Sequence, residues 1–307
     1  MKSNTARKIG KLGPEVTSVG IGAMSFTNFY GPCDDDQAHN VLKTAIDLGL
    51  NHIDTSNVYG MGTSEERIGS FLKKQGKQAN NLFSIATKAA IYRNPDTGSR
   101  GFDNSFAHLE DELDKSLERM NIDCVDLFYV HRRDPNIPIE EVTESLAKLV
   151  KKGKTLNIGY SEISPSSLIR ATSIHPIAAV QSEYSLSTRS PEMGLIQTCK
   201  NLGTALVAFS PVGRTLLTDS PLSYQFAQTL DFTKNNPRFM QPNYDANILI
   251  TDKFRIYARD HGVAASTLAI AWILAKGEHI IPIPGTRSTD HLHELAAACL
   301  LYTSDAA

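Results

Sequence analysis

Paired cysteines are missing from this chain. Its four cysteines, Cys33, Cys124, Cys199 and Cys299, lie far apart and none forms a CxxC pair. No Cys/His spacing matches a structural zinc site, so no metal is expected. Their scatter reads as reduced thiols in a cytoplasmic enzyme. Long apolar runs are missing too. No stretch approaches the roughly 20 residues a membrane helix needs, and the N-terminal MKSNTARKIGKLG has basic residues but no apolar run behind them, unlike a secretory signal. Neither sign of charge is in excess: 31 Lys and Arg stand against 33 Asp and Glu, a formal net charge of -2. That balance gives no general affinity for nucleic acid or an anionic membrane, although it leaves room for a local phosphate site. The expectation is a soluble protein that acts on a small molecule, as a monomer or a homo-oligomer.

What is present is ordinary globular material, 41% hydrophobic and 21% charged over 307 residues. An eight-fold α/β barrel needs about 250 residues, so 1–307 fits a single barrel domain. Short apolar runs at 18–22, 52–54, 83–88, 125–130, 155–159, 179–183, 205–209 and 280–284 suit strands buried on both faces. Helical patterns lie between them at 36–48, 64–74, 104–120, 139–151, from 165, 191–202 and 247–261. Ser164-Pro165 and Ser190-Pro191 read as capped helix starts, and Gly49 and Gly203 as left-handed helix ends. Alternating strands and helices suggest a closed (β/α)₈ TIM barrel or a doubly wound sheet. The doubly wound alternative lacks its phosphate loop: Gly20-Ile21-Gly22 is followed by Ala23-Met24-Ser25, without a third glycine. Residues 7–19, around Gly13-Pro14, are expected to form a hairpin at the barrel base. Residues 213–243 show no clear periodicity and read as a long functional loop.

In a barrel, chemistry sits where strands end. The second strand ends in LNHIDTSNVYG, placing Asp54 at its tip and Tyr59 beyond it. The third ends on Lys88 and the fourth on His131. Singly, each has a plain alternative: a rim lysine or histidine is commonly just solvated, and Asp54 could order the turn. Together they specify a chemistry. A phenol has a pKa near 10, too high for an efficient acid at neutral pH. An ammonium about 4 Å away interacts by roughly 4 kcal/mol at an effective dielectric of 20, which could lower that pKa by up to about three units. Asp54 would hold Lys88 charged, and His131 could position a substrate oxygen. The arrangement suits proton donation to an oxygen becoming an alkoxide.

At these residues the chain resembles the aldo-keto reductases, from the N-terminal hairpin to about Glu294. GLNHIDTSNVYGMGTSEERIG is similar to the family's second-strand motif. The resemblance implies that Asp54, Tyr59, Lys88 and His131 are the catalytic tetrad of an NADPH-dependent aldehyde or ketone reductase. It implies a cofactor site as well. Ser161, Glu162 and Gln181 would approach the nicotinamide carboxamide and Tyr184 would stack on its ring. Ser210, Pro211, Gly213 and Arg214 would cover the pyrophosphate. Gly285, Thr286, Arg287, His291 and Glu294 would meet the adenosine phosphate, with Arg287 favouring NADP. For Gln181 a purely structural hydrogen bond inside the barrel is the alternative.

Phe26, Phe29, Tyr30 and Tyr92 are candidate substrate-wall residues, favouring an aromatic or apolar carbonyl compound. The family usually continues with another helix and a tail, whereas this chain stops at CLLYTSDAA, which suggests a truncated C-terminus. Some relatives in such a family are cofactor-binding regulatory subunits of membrane channels, and a complete tetrad is compatible with that second reading. A barrel lyase or hydrolase without nicotinamide is the third.

Overall fold

The computed structural model describes residues 6–76, 81–93 and 98–304; residues 305–307 of the C-terminal segment lie outside them. The chain opens with an antiparallel hairpin of β1 (Ala6–Lys8) and β2 (Glu15–Thr17). The first half of the barrel follows as β3 (Ile21–Gly22), α1 (Asp35–Leu48), β4 (His52–Asp54), α2 (Thr63–Gln75) and β5 (Ser84–Ala89). A second hairpin, β6 (Ile91–Arg93) with β7 (Arg100–Phe102), leads into α3 (Phe106–Met120) and β8 (Val125–Val130). Then come α4 (Ile139–Lys151), β9 (Thr155–Ser161), α5 (Pro165–Thr172), β10 (Ala179–Glu183), α6 (Leu195–Leu202) and β11 (Ala205–Phe209). The short α7 (Tyr224–Ala227) and α8 (Asp231–Lys234) precede α9 (Asn243–Asp260), α10 (Ala265–Leu274), β12 (Ile280–Pro282) and α11 (Thr289–Ser304).

Eight strands pair in parallel in the order β3-β4-β5-β8-β9-β10-β11-β12. The seam between first and last is one-sided. Gly20 N–H donates to Pro282 O and Gly22 N–H to Pro284 O, both at 2.9 Å. The return bond of a parallel ladder would come from the nitrogen of Pro284, which carries no hydrogen. The barrel therefore closes through two glycine amides, and the regular strands there are shorter than the runs 18–22 and 280–284 suggest.

Side chains alternate between two cores. Ala86, Leu127, Tyr129, Ala179, Val207 and Ile281 fill the interior. Phe128, Val130, Val180, Leu206 and Ile280 face the helices instead. The first hairpin plugs the base, since Ile9 and Val16 are buried in the interior cluster. Arg7 fastens it, donating to Leu274 O at 3.0 Å and Gly277 O at 2.8 Å and also bonding Ile280 O.

Most expected helices form with their expected ends. Ser164 caps α5 by accepting from Ser167 N–H, and Gly49 and Gly203 end α1 and α6 at φ 76° and 70°. Ser190-Pro191 departs from the expectation: it starts a short 3-10 turn, and Gly194 at φ 133° separates that turn from α6. The segment 213–243 is not a structureless loop. Its short helical turns share a small core of Leu216, Ala227, Phe239 and Tyr244. Helix α10 has no amphipathic period to read, because eight of its ten residues are buried.

Candidate active site

The interior alternation delivers the site. Two residues beyond Ala86 comes Lys88, two beyond Tyr129 comes His131, two beyond Ala179 comes Gln181, and two beyond Val207 comes Phe209. Asp54 ends β4, and the turn after it carries Ser56 and Tyr59. The four sequence candidates for catalysis thus meet at one end of the barrel.

Lys88 is fully buried and bonds Asp54 Oδ1; its Nζ also donates to Thr55 O at 2.7 Å. That nitrogen lies 5.2 Å from the centre of the Tyr59 ring and 5.7 Å from that of Tyr129. The other Asp54 oxygen accepts from Gln181 Nε2 at 2.7 Å. Burial works to lower the Lys88 pKa, but Asp54 and the Tyr59 oxygen outweigh it and the net shift is upward. Burial also raises the Tyr59 pKa, and the Lys88 charge opposes this without prevailing. On neighbouring charge alone the phenol pKa would fall. Desolvation of the phenolate overturns that, because the oxygen would lose its water on ionising.

His131 is buried, with Nδ1 3.0 Å from Ser56 Oγ and its ring edge-on to Tyr59 at 5.9 Å. Burial, followed by the charges of Lys88, Arg132 and Arg100, holds its pKa well below the usual histidine value. The imidazole is therefore neutral at physiological pH. A neutral phenol beside a charged ammonium, with a neutral imidazole next to it, can protonate and orient a carbonyl oxygen.

Around the tetrad, the other expected residues fall into different settings, and burial removes two of them, Tyr184 and Phe26, from the open site. Tyr184 is fully buried: it belongs to the outer core, tilts against Trp272 at 5.5 Å and donates its hydroxyl to Glu192 at 2.8 Å. It has no face to offer a nicotinamide ring. Phe209, on the inward register, instead lines a hollow of about 610 Å³ with Arg132, Glu162, Ser182, Glu183 and Arg214. Counting by twos from Gln181 would have put residue 184 on the helix side. Gln181 itself is buried and bonded to Asp54, the structural alternative. Phe26 has no exposed surface and packs in the outer core, so it walls no pocket. Tyr92 sits on β6 with its ring against His108 at 6.0 Å, lining a second hollow of about 250 Å³ with Asn57, Met61 and Glu112. Glu294 is turned toward α10, where Ser266 Oγ donates to its carboxylate at 3.1 Å and Thr267 Oγ1 to its backbone carbonyl at 2.7 Å.

Phe29 and Tyr30 do stand at the mouth, with a partner that sequence reading missed. Phe232 of α8 stacks on Phe29 at 4.1 Å and meets Tyr30 edge-on at 4.7 Å. Burial raises the Tyr30 pKa to about 12, with Arg214, Glu183 and Tyr59 the charges it senses.

The rim fits a phosphate-bearing dinucleotide. Arg214 Nε is buried with no hydrogen-bond partner among the described residues, a donor that an anionic oxygen would satisfy. Ser210, Arg214 and Thr215 hold φ of 50°, 55° and 82°, and Gly213 between them holds 60°. Such backbone strain gathers at ligand clamps. Gly285 is exposed after β12, and a Cβ there would meet Ser25 Oγ at 2.5 Å and Gly22 O at 2.7 Å. Thr286, Arg287 and the exposed His291 follow at the start of α11, where the helix dipole favours an anion. Ser161 is buried and accepts from Arg132 Nη1 at 2.9 Å, while the exposed Glu162 turns at φ 56°.

Comparison with known proteins shows the family and the fold. The chain is 37% identical to the Schizosaccharomyces pombe protein named aldo-keto reductase yakc, whose name carries NADP(+), over 98% of this chain and 88% of that one. It is 38% identical to aldo-keto reductase str7 of Strobilurus tenacellus, over 97% and 88%. A probable aldo-keto reductase 1 of Glycine max is 35% identical over 97% and 85%. Among solved structures, the glycerol dehydrogenase of Gluconobacter oxydans superposes with a TM-score of 0.83 at 25% identity, covering 97% of this chain and 90% of that one. An aldo-keto reductase of Bacillus halodurans shares the fold at a TM-score of 0.77 and 24% identity, with the same coverage. The model of the aldo/keto reductase family matches residues 18–307, and the chain belongs to that family of oxidoreductases.

Proposed function

We propose that this protein reduces an aldehyde or ketone with NADPH, Tyr59 acting as the general acid. The observation that carries this reading is the buried relay in which Gln181 holds Asp54, Asp54 holds Lys88, and Lys88 lies beneath the Tyr59 ring. Phe209 would lie against the nicotinamide, with Ser161 and Glu162 near its carboxamide. Ser210, Pro211, Gly213 and Arg214 would hold the pyrophosphate. Gly285, Thr286, Arg287 and His291 would hold the adenosine phosphate, Arg287 favouring the 2′-phosphate of NADP. The name of the yeast relative supports that cofactor. When bound, NADPH supplies the hydride.

The protein's own part is proton placement. Tyr59 stays neutral because its burial penalises the phenolate, so it carries a proton to give. Lys88 stays charged because Asp54 outweighs its burial, so the phenolate left after donation faces a cation. His131 is neutral, and the 3.0 Å contact of its Nδ1 with Ser56 Oγ fixes the ring beside Tyr59, where it can orient the substrate oxygen. The oxygen is thus placed between the Tyr59 donor and the imidazole, and the Tyr59 bond strengthens as charge develops on the oxygen.

The deciding experiment is loss of NADPH absorbance against a panel of aldehydes and ketones, with NADH run beside it. Turnover in the wild type and its loss in Tyr59→Phe, with NADPH binding retained, is the expected result. Undiminished turnover in Tyr59→Phe removes the phenol from the mechanism.

A further inference from the structure

Beside the tetrad stands a cation that neither the proton relay nor the cofactor contacts absorb. Arg132 directly follows His131 and is half-buried in the wall of the 610 Å³ hollow. Its Nη1 is spent on structure, donating to His131 O at 2.6 Å and Ser161 Oγ at 2.9 Å. The Nε and Nη2 edge makes no such bond among the described residues. A guanidinium edge of that kind is the fork that accepts a carboxylate through two parallel hydrogen bonds. Arg214 is engaged otherwise: its Nη2 pairs with Glu183 at 3.3 Å, and its Nε is the donor assigned above to the pyrophosphate. Glu183 is further engaged by Arg238 at 2.6 Å. Glu162 is close enough to act on Arg132 electrostatically but forms no ion pair with it.

A second arginine adds to the field. Arg100 of β7 is exposed, and its charge reaches both His131 and Arg132. Arg132 thus stands beside the position where a carbonyl oxygen would meet Tyr59 and His131, and the Arg100 charge is felt there. Phe29, Tyr30 and Phe232 supply flat apolar surface on the same mouth.

We propose that Arg132, assisted by Arg100, is a substrate-anion subsite, so that the preferred substrates are carbonyl compounds carrying a carboxylate on a flat apolar body. This rests on the reductase reading above. A carboxylate seated on the Nε and Nη2 edge would anchor the substrate while its carbonyl reaches Tyr59. The anchor is charge-specific, so it discriminates between an acid and its ester rather than between ring shapes.

The test compares 4-formylbenzoate with its methyl ester, using the full chain and NADPH. The ester group withdraws electrons more strongly, so intrinsic reactivity favours the ester, and any preference for the acid comes from the protein. We expect kcat/KM for the acid to exceed that for the ester about tenfold or more. The ratio should fall to about one in Arg132→Gln and several-fold in Arg100→Gln. It should be unchanged in Arg170→Gln, a surface residue paired with Glu140. Without any substitution, benzoate should inhibit ester reduction about tenfold better than benzamide does. An ester reduced as well as the acid by the wild type, or an acid preference that survives Arg132→Gln, overturns the subsite while leaving the reductase intact. Consumption of NADPH with neither compound overturns the reductase reading itself.

Discussion

Gln181 and Asp54 sit on opposite sides of the barrel sequence, 127 positions apart, and share a 2.7 Å hydrogen bond inside it. This bond satisfies the Asp54 oxygen that Lys88 does not take. A buried carboxylate left short of a donor is costly, on the order of 1–3 kcal/mol or more. Gln181→Leu should lower stability by about that amount in chemical denaturation. It should also lower kcat about tenfold, because an unsteadied Asp54 no longer fixes Lys88. A leucine variant as stable and as active as the wild type would show that Asp54 needs no second partner.

The raised Tyr59 pKa makes a kinetic prediction opposite to the one suggested by charge alone. A phenol lowered by about three units would lose its proton near neutral pH. Burial keeps it above its ordinary 10.0, and Lys88 is shifted upward as well. The expected kcat profile for reduction is therefore flat between about pH 6 and 9. A fall across that range, absent from NADPH binding, would restore the low-pKa phenol.

Stability, unlike kcat, should depend on pH in this region. His131, His52 and His279 all have folded-state pKa values below the ordinary 6.5, with burial the leading cause in each. The unfolded chain binds these protons first, so the stability they contribute is present above about pH 6.5 and is lost as pH falls toward the folded values. The thermal midpoint should drop between about pH 7 and 5, while carboxylates remain mostly ionised. A midpoint flat over that interval contradicts the burial of His131 and His52 and the partial burial of His279.

Much of this was legible in the sequence for one reason: a barrel places its chemistry at strand ends, and Asp54, Lys88 and His131 each sit at one. What was not legible depended on direction and length. Tyr184 and Phe209 are both aromatics at strand ends, but only the inward alternation through Ala179 and Gln181, and through Val207, separates them. Helix α10 hid because it is apolar on every side. The turns within 213–243 hid because four residues are too few to show a period. The sign of the Tyr59 shift was beyond reach, since a sequence lists neighbouring charges but not the water they exclude.

Gly159 illustrates a requirement that only packing reveals. A Cβ there would lie 2.7 Å from Ala179 O and 2.7 Å from the ring of Tyr129, the ring beneath Lys88. Gly159→Ala should cost about 1–3 kcal/mol through overpacking, and it should lower activity by displacing the floor under Lys88. Gly49→Ala is the informative contrast. Nothing lies near its Cβ, and only its left-handed φ of 76° is penalised, so it should lose about 1–2 kcal/mol with activity intact. Equal effects of both variants on activity would deny Tyr129 its supporting part.

The aromatic contact between Phe29 and Phe232 bears on how a cofactor would leave. Phe29 lies in a short turn after β3, and Phe232 belongs to the segment after β11 that also carries Arg214. Their stacking at 4.1 Å ties two rims of the mouth together, and Arg214 adds its guanidinium 6.0 Å from the Phe232 ring. An aromatic pair contributes about 0.5–1.5 kcal/mol beyond its buried area. Phe232→Ala should therefore speed NADPH release by about two- to tenfold, read by stopped-flow fluorescence. The chemical step should change little, because the ring contacts of Phe232 are with Phe29, Tyr30 and Arg214 at the rim. Where release limits turnover, kcat would rise rather than fall. An unchanged release rate would mean that Arg214 and the strained backbone at 210–215 hold the rim without the aromatic pair.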